Sequence, residues 1–339
     1  MLHTAICDLL GIEFPIISAG MGGVALSSLA AAVSEAGGFG FIGLAGFSAQ
    51  AIHHEVATAR ELTKRPIGVN LLIPFLRPGM VEAVADEPLA AVTFFWGVPA
   101  EHAASIRRLR AAGIKVIWQC GSAIEARAAA DAGVDAIMAQ GVEAGGHVRG
   151  TTTTVALVPA VRDAIGDLPM VAAGGLADGR GLAAVLALGA DGAVFGTRFL
   201  VARESLAHQE YKRAILRAHA EDTFHTTLFD IGWPDAAHRV IRTPTVETWE
   251  RAGRPPTGER PGEGDPIGTM RRSGIEVPLV RYSVWPPTEY IEGDIGGLPF
   301  YAGQSSSLVN EALPAGEIVR QIAEEARSVI AERLAPLAR

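Results

Sequence analysis

From Pro15 to Phe195 the chain alternates short β-branched or apolar runs with Ala-rich stretches that carry charges at helical spacing, and few architectures satisfy that pattern. Eight apolar runs are readable: PIISA from Pro15, FGFIG from Phe39, PIGVNLL from Pro66, AAVTFFW from Ala90, KVIWQ from Lys115, DAIMAQ from Asp135, PMVAAGG from Pro169 and DGAVFGT from Asp191. Helical spacing fills residues 26–35, 48–63, 79–86, 101–112, 122–132, 156–165 and 179–188, with Ser48 placed to cap the second of these. Eight strands with short connections predict an α/β fold, a closed (β/α)8 TIM barrel, and closure removes the exposed edges that an open sheet must protect. The rival, a doubly wound open sheet, calls for GxGxxG directly after the first strand, and GMGG at Gly20 does not match it.

After Phe199 the repeat stops. Residues 204–218 read as a helix, 223–248 as a mixed segment rich in aromatic, Thr and His residues, and 251–265 as a Pro/Gly/charge stretch, either mobile or packed at the mouth. That is too long for a barrel connection, so an inserted subdomain or lid is expected before the last barrel helix at 314–334, whose charges leave one Ile/Val/Ala/Leu face. The expected division is a barrel of residues 1–202 and 312–339 with an insert of 203–311. A length of 339 residues and 49% hydrophobic content suit one barrel with a modest subdomain.

A barrel gathers the loops after its strands around one mouth, so candidate residues lie just downstream of strands. Gly174, Gly175, Gly196 and Thr197 end the seventh and eighth strands and can offer backbone amides to a phosphate, although two tight turns that need glycine would look alike. Met21 and Gly22 bring a thioether and bare backbone near the mouth, with core packing as the alternative for Met21. Asn70 and Gln119 end strands with amides that suit a flavin pyrimidine or a substrate, or loop backbone instead. His147 lies in a glycine-dense loop, expected near solvent, with an ordinary pKa suited to proton transfer near neutrality; a structural histidine is the alternative.

The remaining titratable groups carry less. His53 and His54 fall on a helix surface, and His219 and His225 lack the carboxylates or cysteines that would complete a metal site, so no metal is expected. Cys7 and Cys120 are too few and too scattered for a disulfide framework and read as buried thiols. Neither GxSxG nor HExxH occurs. With 29 Lys and Arg against 37 Asp and Glu, a net charge of −8 opposes nucleic-acid binding. No run reaches the roughly 20 apolar residues of a membrane span, and no basic stretch with an apolar core opens the chain, so a cytoplasmic protein is expected.

The pieces PIISAGMGG, GVNLL, GVEAGGH, PMVAAGGLADG, GADGAVFGTRFL and YAGQSSSLVNE, spread over nearly the whole chain, resemble the nitronate monooxygenase family, formerly the 2-nitropropane dioxygenases. The resemblance implies FMN, with its phosphate at Gly174, Gly175, Gly196 and Thr197 and its ring near Met21, Gly22 and Asn70, and with Gln140, Gly145 and Gly146 close by. Tyr301, Gly303 and Gln304 resemble the family's closing segment, and His147 takes the place of the family histidine. The family usually reads AGGH followed by Arg-Gly; here Val148 intervenes, which puts a ligand role for Arg149 in doubt. The implied partners are a small nitronate or nitroalkane and O2, with a homodimer as a possible assembly. Related flavin-dependent enoyl-acyl-carrier-protein reductases and quinone reductases offer the alternative, with NAD(P)H as reductant, and a non-catalytic FMN-binding module is the alternative of another class.

Overall fold

The computed structural model describes residues 2–272 and 275–338. Helix α1 (Ala5–Leu10) precedes the expected repeat. The repeat then runs β1 (Ile16–Ser18), α2 (Ser27–Glu35), β2 (Phe39–Gly43), α3 (Ala49–Leu62), β3 (Ile67–Leu72), α4 (Met80–Ala85), β4 (Ala91–Phe95) and α5 (Ala103–Ala111). It continues with β5 (Lys115–Cys120), α6 (Ala123–Asp131), β6 (Ala136–Gln140), a two-residue strand β7 (Gly146–His147), α7 (Thr154–Ile165), β8 (Met170–Ala173), α8 (Gly179–Ala187), β9 (Gly192–Phe195) and α9 (Thr197–Leu200). The side chains of Ser48 and Ser122 cap α3 and α6, accepting from the amides of Ala51 and Glu125.

The strands β1 to β6, β8 and β9 form a closed parallel barrel, completed where Ile16, Ile17 and Ser18 pair with Ala193, Val194 and Phe195. Neighbouring residues alternate between two cores, as a strand's period of two requires. Ile16, Val92, Phe94, Trp118, Ile137 and Ala172 face the helices, whereas Ile17, Ile117, Met138, Val171 and Val194 fill the barrel. Ile6, Cys7 and Leu10 of α1 join the inner set and plug the barrel at the end away from the mouth. Both Cys7 and Cys120 are buried and unpaired.

The last helix, α12 (Ala315–Ser328), buries Ala315, Ile318, Val319, Ile322, Ala323 and Ala326 and packs between α8 and α2. It thereby fills the outer ring left open after β9, as the apolar face at 314–334 predicted. The segment between holds α10 (Gln209–Arg217), β10 (Thr223–Thr226), β11 (His238–Ile241), α11 (Pro244–Arg251), β12 (Pro266–Arg272), β13 (Ile275–Val280) and β14 (Ile291–Gly293). The expected helix at 204–218 thus begins only at Gln209, capped by the His208 ring. Two antiparallel sheets form that the sequence did not announce, β13-β12-β14 and β10-β11-β7. The second is built partly from the barrel's own β6–α7 loop.

The insert rests on the barrel through a shared apolar cluster: Val24, Ala177, Leu200 and Val201 meet Tyr211, Ile215, Ile241, Leu298 and Phe300. Within the 251–265 stretch Arg260 alone is buried, 5% exposed; most of the rest is exposed, and none of it lines the cavity at the mouth. No helix among the described residues is long and apolar enough to cross a membrane.

Gly40 tests the closeness of helix and strand. A Cβ there would stand 2.1 Å from the carbonyl oxygen of Ala30 in α2, and backbone cannot yield as a flexible side chain can. Gly40→Ala is expected to destabilise the protein by about 1–3 kcal/mol in urea unfolding. An unchanged midpoint would mean that α2 stands further from the sheet.

Candidate active site

Strand parity builds the mouth. Val69, Val92, Trp118, Cys120 and Ala139 point outward, so Asn70, Thr93, Gln119 and Gln140 point inward near the carboxyl ends of β3, β4, β5 and β6. Asn70 donates through Nδ2 to Thr93 Oγ1 at 2.8 Å, which fixes both side chains. With Met21 and Gly22 from the first loop, Gly145, Gly146 and His147 from the sixth, Gly174 and Gly175 after β8, and Gly196 and Thr197 after β9, they line one cavity. Its open space is about 1310 Å³, counting the part that faces solvent.

The insert supplies the opposite wall, through Tyr211, Trp233, Val284, Trp285 and Tyr301. Of these only Tyr301 was expected. The others sit in a segment whose sequence has no barrel periodicity to place them, whereas Thr93 was available from parity with Asn70. Gly303 and Gln304 do not line the cavity. The Gly303 amide donates to Thr197 Oγ1 at 3.0 Å, and the Gln304 amide to the Glu143 carbonyl at 3.0 Å, so they fasten the insert behind the wall. The fastening is tight: a Cβ on Gly145 would lie 2.4 Å from the Gly303 nitrogen.

None of the described lining residues is Lys, Arg, Asp or Glu. Arg149 is turned away and pairs with Glu125. Val148 is fully buried, its amide donating to the Ala237 carbonyl at 2.9 Å, so the additional residue packs into the insert and carries Arg149 toward α6. The hydroxyls of Tyr211 and Tyr301 donate to the carbonyls of Tyr301 and Val284, and burial raises the pKa of both. They are wall, without a proton to offer near neutrality.

His147 differs from its expectation. As part of β7 it pairs with His238 of β11, and its ring stacks on Trp233 with centroids 4.1 Å apart, 26° from parallel. The residue is half-buried with its Nε2 covered, and desolvation, helped by His238, holds its pKa well below 6.5. Glycine crowding predicted access, and Gly145, Gly146 and His147 keep part of it at the cavity; the ring's state differs because the insert packs Trp233 and Tyr301 against it. At neutral pH the ring is an uncharged imidazole whose buried Nε2 has no hydrogen-bond partner, and Gln140 Oε1 is buried and unpartnered in the same wall. Gln140 is oriented by its Nε2, which donates to the His147 carbonyl at 3.1 Å.

His238 is fully buried and its tautomer is fixed by its neighbours. Nδ1 donates to the Ala236 carbonyl at 2.8 Å, and Nε2 accepts from the Phe229 amide at 3.3 Å, which leaves no site for a second proton. Burial pushes its pKa down to about 4. His219 caps a short turn, and no cluster of His, Cys, Asp or Glu among the described residues is arranged to hold a metal ion.

The nitronate monooxygenase family model matches residues 3–79 and 77–325. The chain is 39% identical over 256 residues to the (3aS,4S,5R,7aS)-5-hydroxy-7a-methyl-1-oxo-octahydro-1H-indene-4-carboxyl-CoA dehydrogenase of Mycobacterium tuberculosis, covering 75% of this chain and 70% of that protein. It is 35% identical over 268 residues to a probable nitronate monooxygenase of Staphylococcus aureus, covering 66% of this chain and 74% of the relative. Among solved structures, FabK from Thermotoga maritima superposes with a TM-score of 0.78 and 32% identity over 99% of this chain and 100% of that one.

The two histidines give a pH prediction. The unfolded chain binds their protons near 6.5 and the native state only far lower, so their contribution to stability is complete above 6.5 and is lost as pH falls toward 4. For His238 the loss is on the order of 3 kcal/mol. The urea midpoint is expected to drop from about pH 7 to about pH 5, and to drop less in His238→Phe; equal slopes would show that His238 titrates normally in the folded protein.

Proposed function

The chain belongs to the nitronate monooxygenase family of flavin-dependent oxidoreductases, and from that premise we propose that it is an FMN-dependent nitronate monooxygenase, oxidising alkyl nitronates with O2 to an aldehyde or ketone and nitrite. The observation that carries this reading is a half-buried, neutral His147 whose covered Nε2 has no partner, in a cavity whose described lining has no charged side chain.

The residues fit FMN. A Cβ on Gly146 would meet nothing within 4 Å, and one on Gly196 only Ala19 at 3.9 Å, so both leave room at the cavity for a flat ligand. Gly174 and Gly175, with φ of 101° and 74°, would hold the phosphate together with Gly196 and Thr197, while Met21, Gly22, Asn70 and Gln140 would flank the ring. Gln140 Oε1 offers a buried acceptor without a donor, as a ring N–H requires. Bound there, FMN supplies the electron acceptor.

The protein's part is to hold the substrate. A nitronate is an anion whose electron-rich carbon is oxidised. A cation beside it would stabilise that charge in the ground state and make electrons harder to remove, whereas a neutral imidazole N–H orients a nitro oxygen without quenching the charge. Phe75, Phe95, Leu72 and Trp285 give the alkyl group and O2 an apolar surround. For a neutral nitroalkane, the tautomer of His147 with Nε2 unprotonated would take the α-proton, and its lowered pKa would make that path slower than direct use of the nitronate.

A second reading, NAD(P)H-dependent reduction of an enoyl thioester or a quinone, is favoured by the 39% identity to a protein named as a carboxyl-CoA dehydrogenase. Anaerobic stopped-flow absorbance separates the two. Rapid loss of flavin colour with propyl-2-nitronate and little response to NADH is expected; rapid bleaching by NADH with an inert nitronate would overturn the assignment, and no response to either would leave a binding module. His147→Ala is expected to retain FMN and lose about a hundredfold in turnover. Unchanged turnover would remove His147 from the chemistry.

A further inference from the structure

Trp233 belongs to the insert, is 6% exposed, and meets the barrel where the apolar part of a ligand would run. Its indole stacks on His147 at 4.1 Å and stands edge-on to Phe75 at 5.1 Å and to Trp96 at 4.9 Å. Three sides are therefore packed, and the remaining one is cavity wall. Trp96 lies behind, held at a φ of 70° that L residues rarely adopt, and supports the indole from the barrel side. Apart from the His147 ring on one face, the side chains packed around Trp233 are apolar, among them Leu72, Phe75, Trp96 and Trp285.

The turn that carries it is pinned. The Trp233 amide donates to the Asp230 carbonyl at 2.9 Å, the Ile231 amide to the Tyr282 carbonyl at 3.1 Å, and the Val284 amide to the Ile231 carbonyl at 3.0 Å. Arg260 reaches Asp230 Oδ1 at 2.8 Å and the Leu228 carbonyl at 2.7 Å, pairs with Glu263, and lies 4.5 Å over the Tyr282 ring. A large ring on a turn so fastened is a fixed wall; a swinging gate would need freer backbone.

We propose that Trp233 is a specificity-determining residue that sets the length of apolar chain the cavity accepts, limiting substrates to those with short alkyl groups beside His147. The proposal rests on the nitronate reading for the identity of the substrate head and on geometry alone for the length limit. Removing the indole would extend the cavity into the space the ring now fills between His147, Phe75 and Trp96, and would admit longer tails.

The test uses flavin-loaded wild type, Trp233→Leu and Trp233→Ala, each checked for retained flavin and circular dichroism, with two probe series. Primary alkanols from butanol to decanol are titrated against flavin absorbance, and primary alkyl nitronates of matching lengths are assayed for KM and kcat. In wild type, affinity is expected to improve about fourfold per methylene up to a short limit and then stop. In Trp233→Leu, and further in Trp233→Ala, the improvement continues to longer chains, in KM more than in kcat. A limit that moves for alkanols while every nitronate is inert upholds Trp233 as the length filter and removes the nitronate assignment. The same limit in all three proteins overturns the proposal.

Discussion

The pairing of Gly146 and His147 with Arg239 and His238 ties the insert to the barrel, and the chemistry of the mouth depends on it. Two residues of a barrel loop become the third strand of a sheet whose other strands, β10 and β11, begin 76 and 91 residues beyond His147. That pairing sets the backbone of His147, brings Trp233 onto one face of its ring and His238 against its edge, and makes Val148 a buried residue. A histidine on a free glycine-rich loop would keep an ordinary pKa and turn at will. Here the direction of the ring and its neutrality follow from one short ladder.

The barrel was legible because its information is local. Period-two alternation puts Ile17, Ile117 and Met138 inside and Ile16, Trp118 and Ile137 outside, and helices such as α12 declare their buried face in a single stretch. The same parity brings Asn70, Gln119 and Gln140 to the mouth, and would have brought Thr93 with them. The antiparallel sheets of the insert were not legible: β7 has two residues and pairs with a strand far along the chain, while β12 and β13, though longer and consecutive, carry Pro, Gly and charged residues in place of a continuous apolar run. For His147 the residue could be read but its state could not, because desolvation is imposed by side chains far along the chain. At Arg149 one additional residue was enough to foresee a displaced side chain, although its partner, Glu125, was beyond reach of sequence.

The distribution of buried charge completes the picture. Arg239 is paired in register with Gly146, one residue from His147, yet its guanidinium donates to the Val142 carbonyl at 3.0 Å. Lys212 gives its ammonium to the carbonyls of Ala202 and Ser205, both at 2.7 Å, and Arg198 donates to the Glu311 carbonyl at 2.7 Å. Arg260 is held by Asp230 and Glu263. Each of these cations sits behind the wall and joins insert segments to one another or to the barrel, and each is 5 to 7% exposed. Burying them costs desolvation, which carbonyl and carboxylate partners offset only when the geometry is fixed, so the groups that hold the lid in place are also withdrawn from the ligand. The cavity is left with amides, hydroxyls, one neutral imidazole and aromatic faces. Such a lining can orient an anionic head by hydrogen bonds while leaving its charge available for transfer, which is the combination the proposed nitronate oxidation calls for.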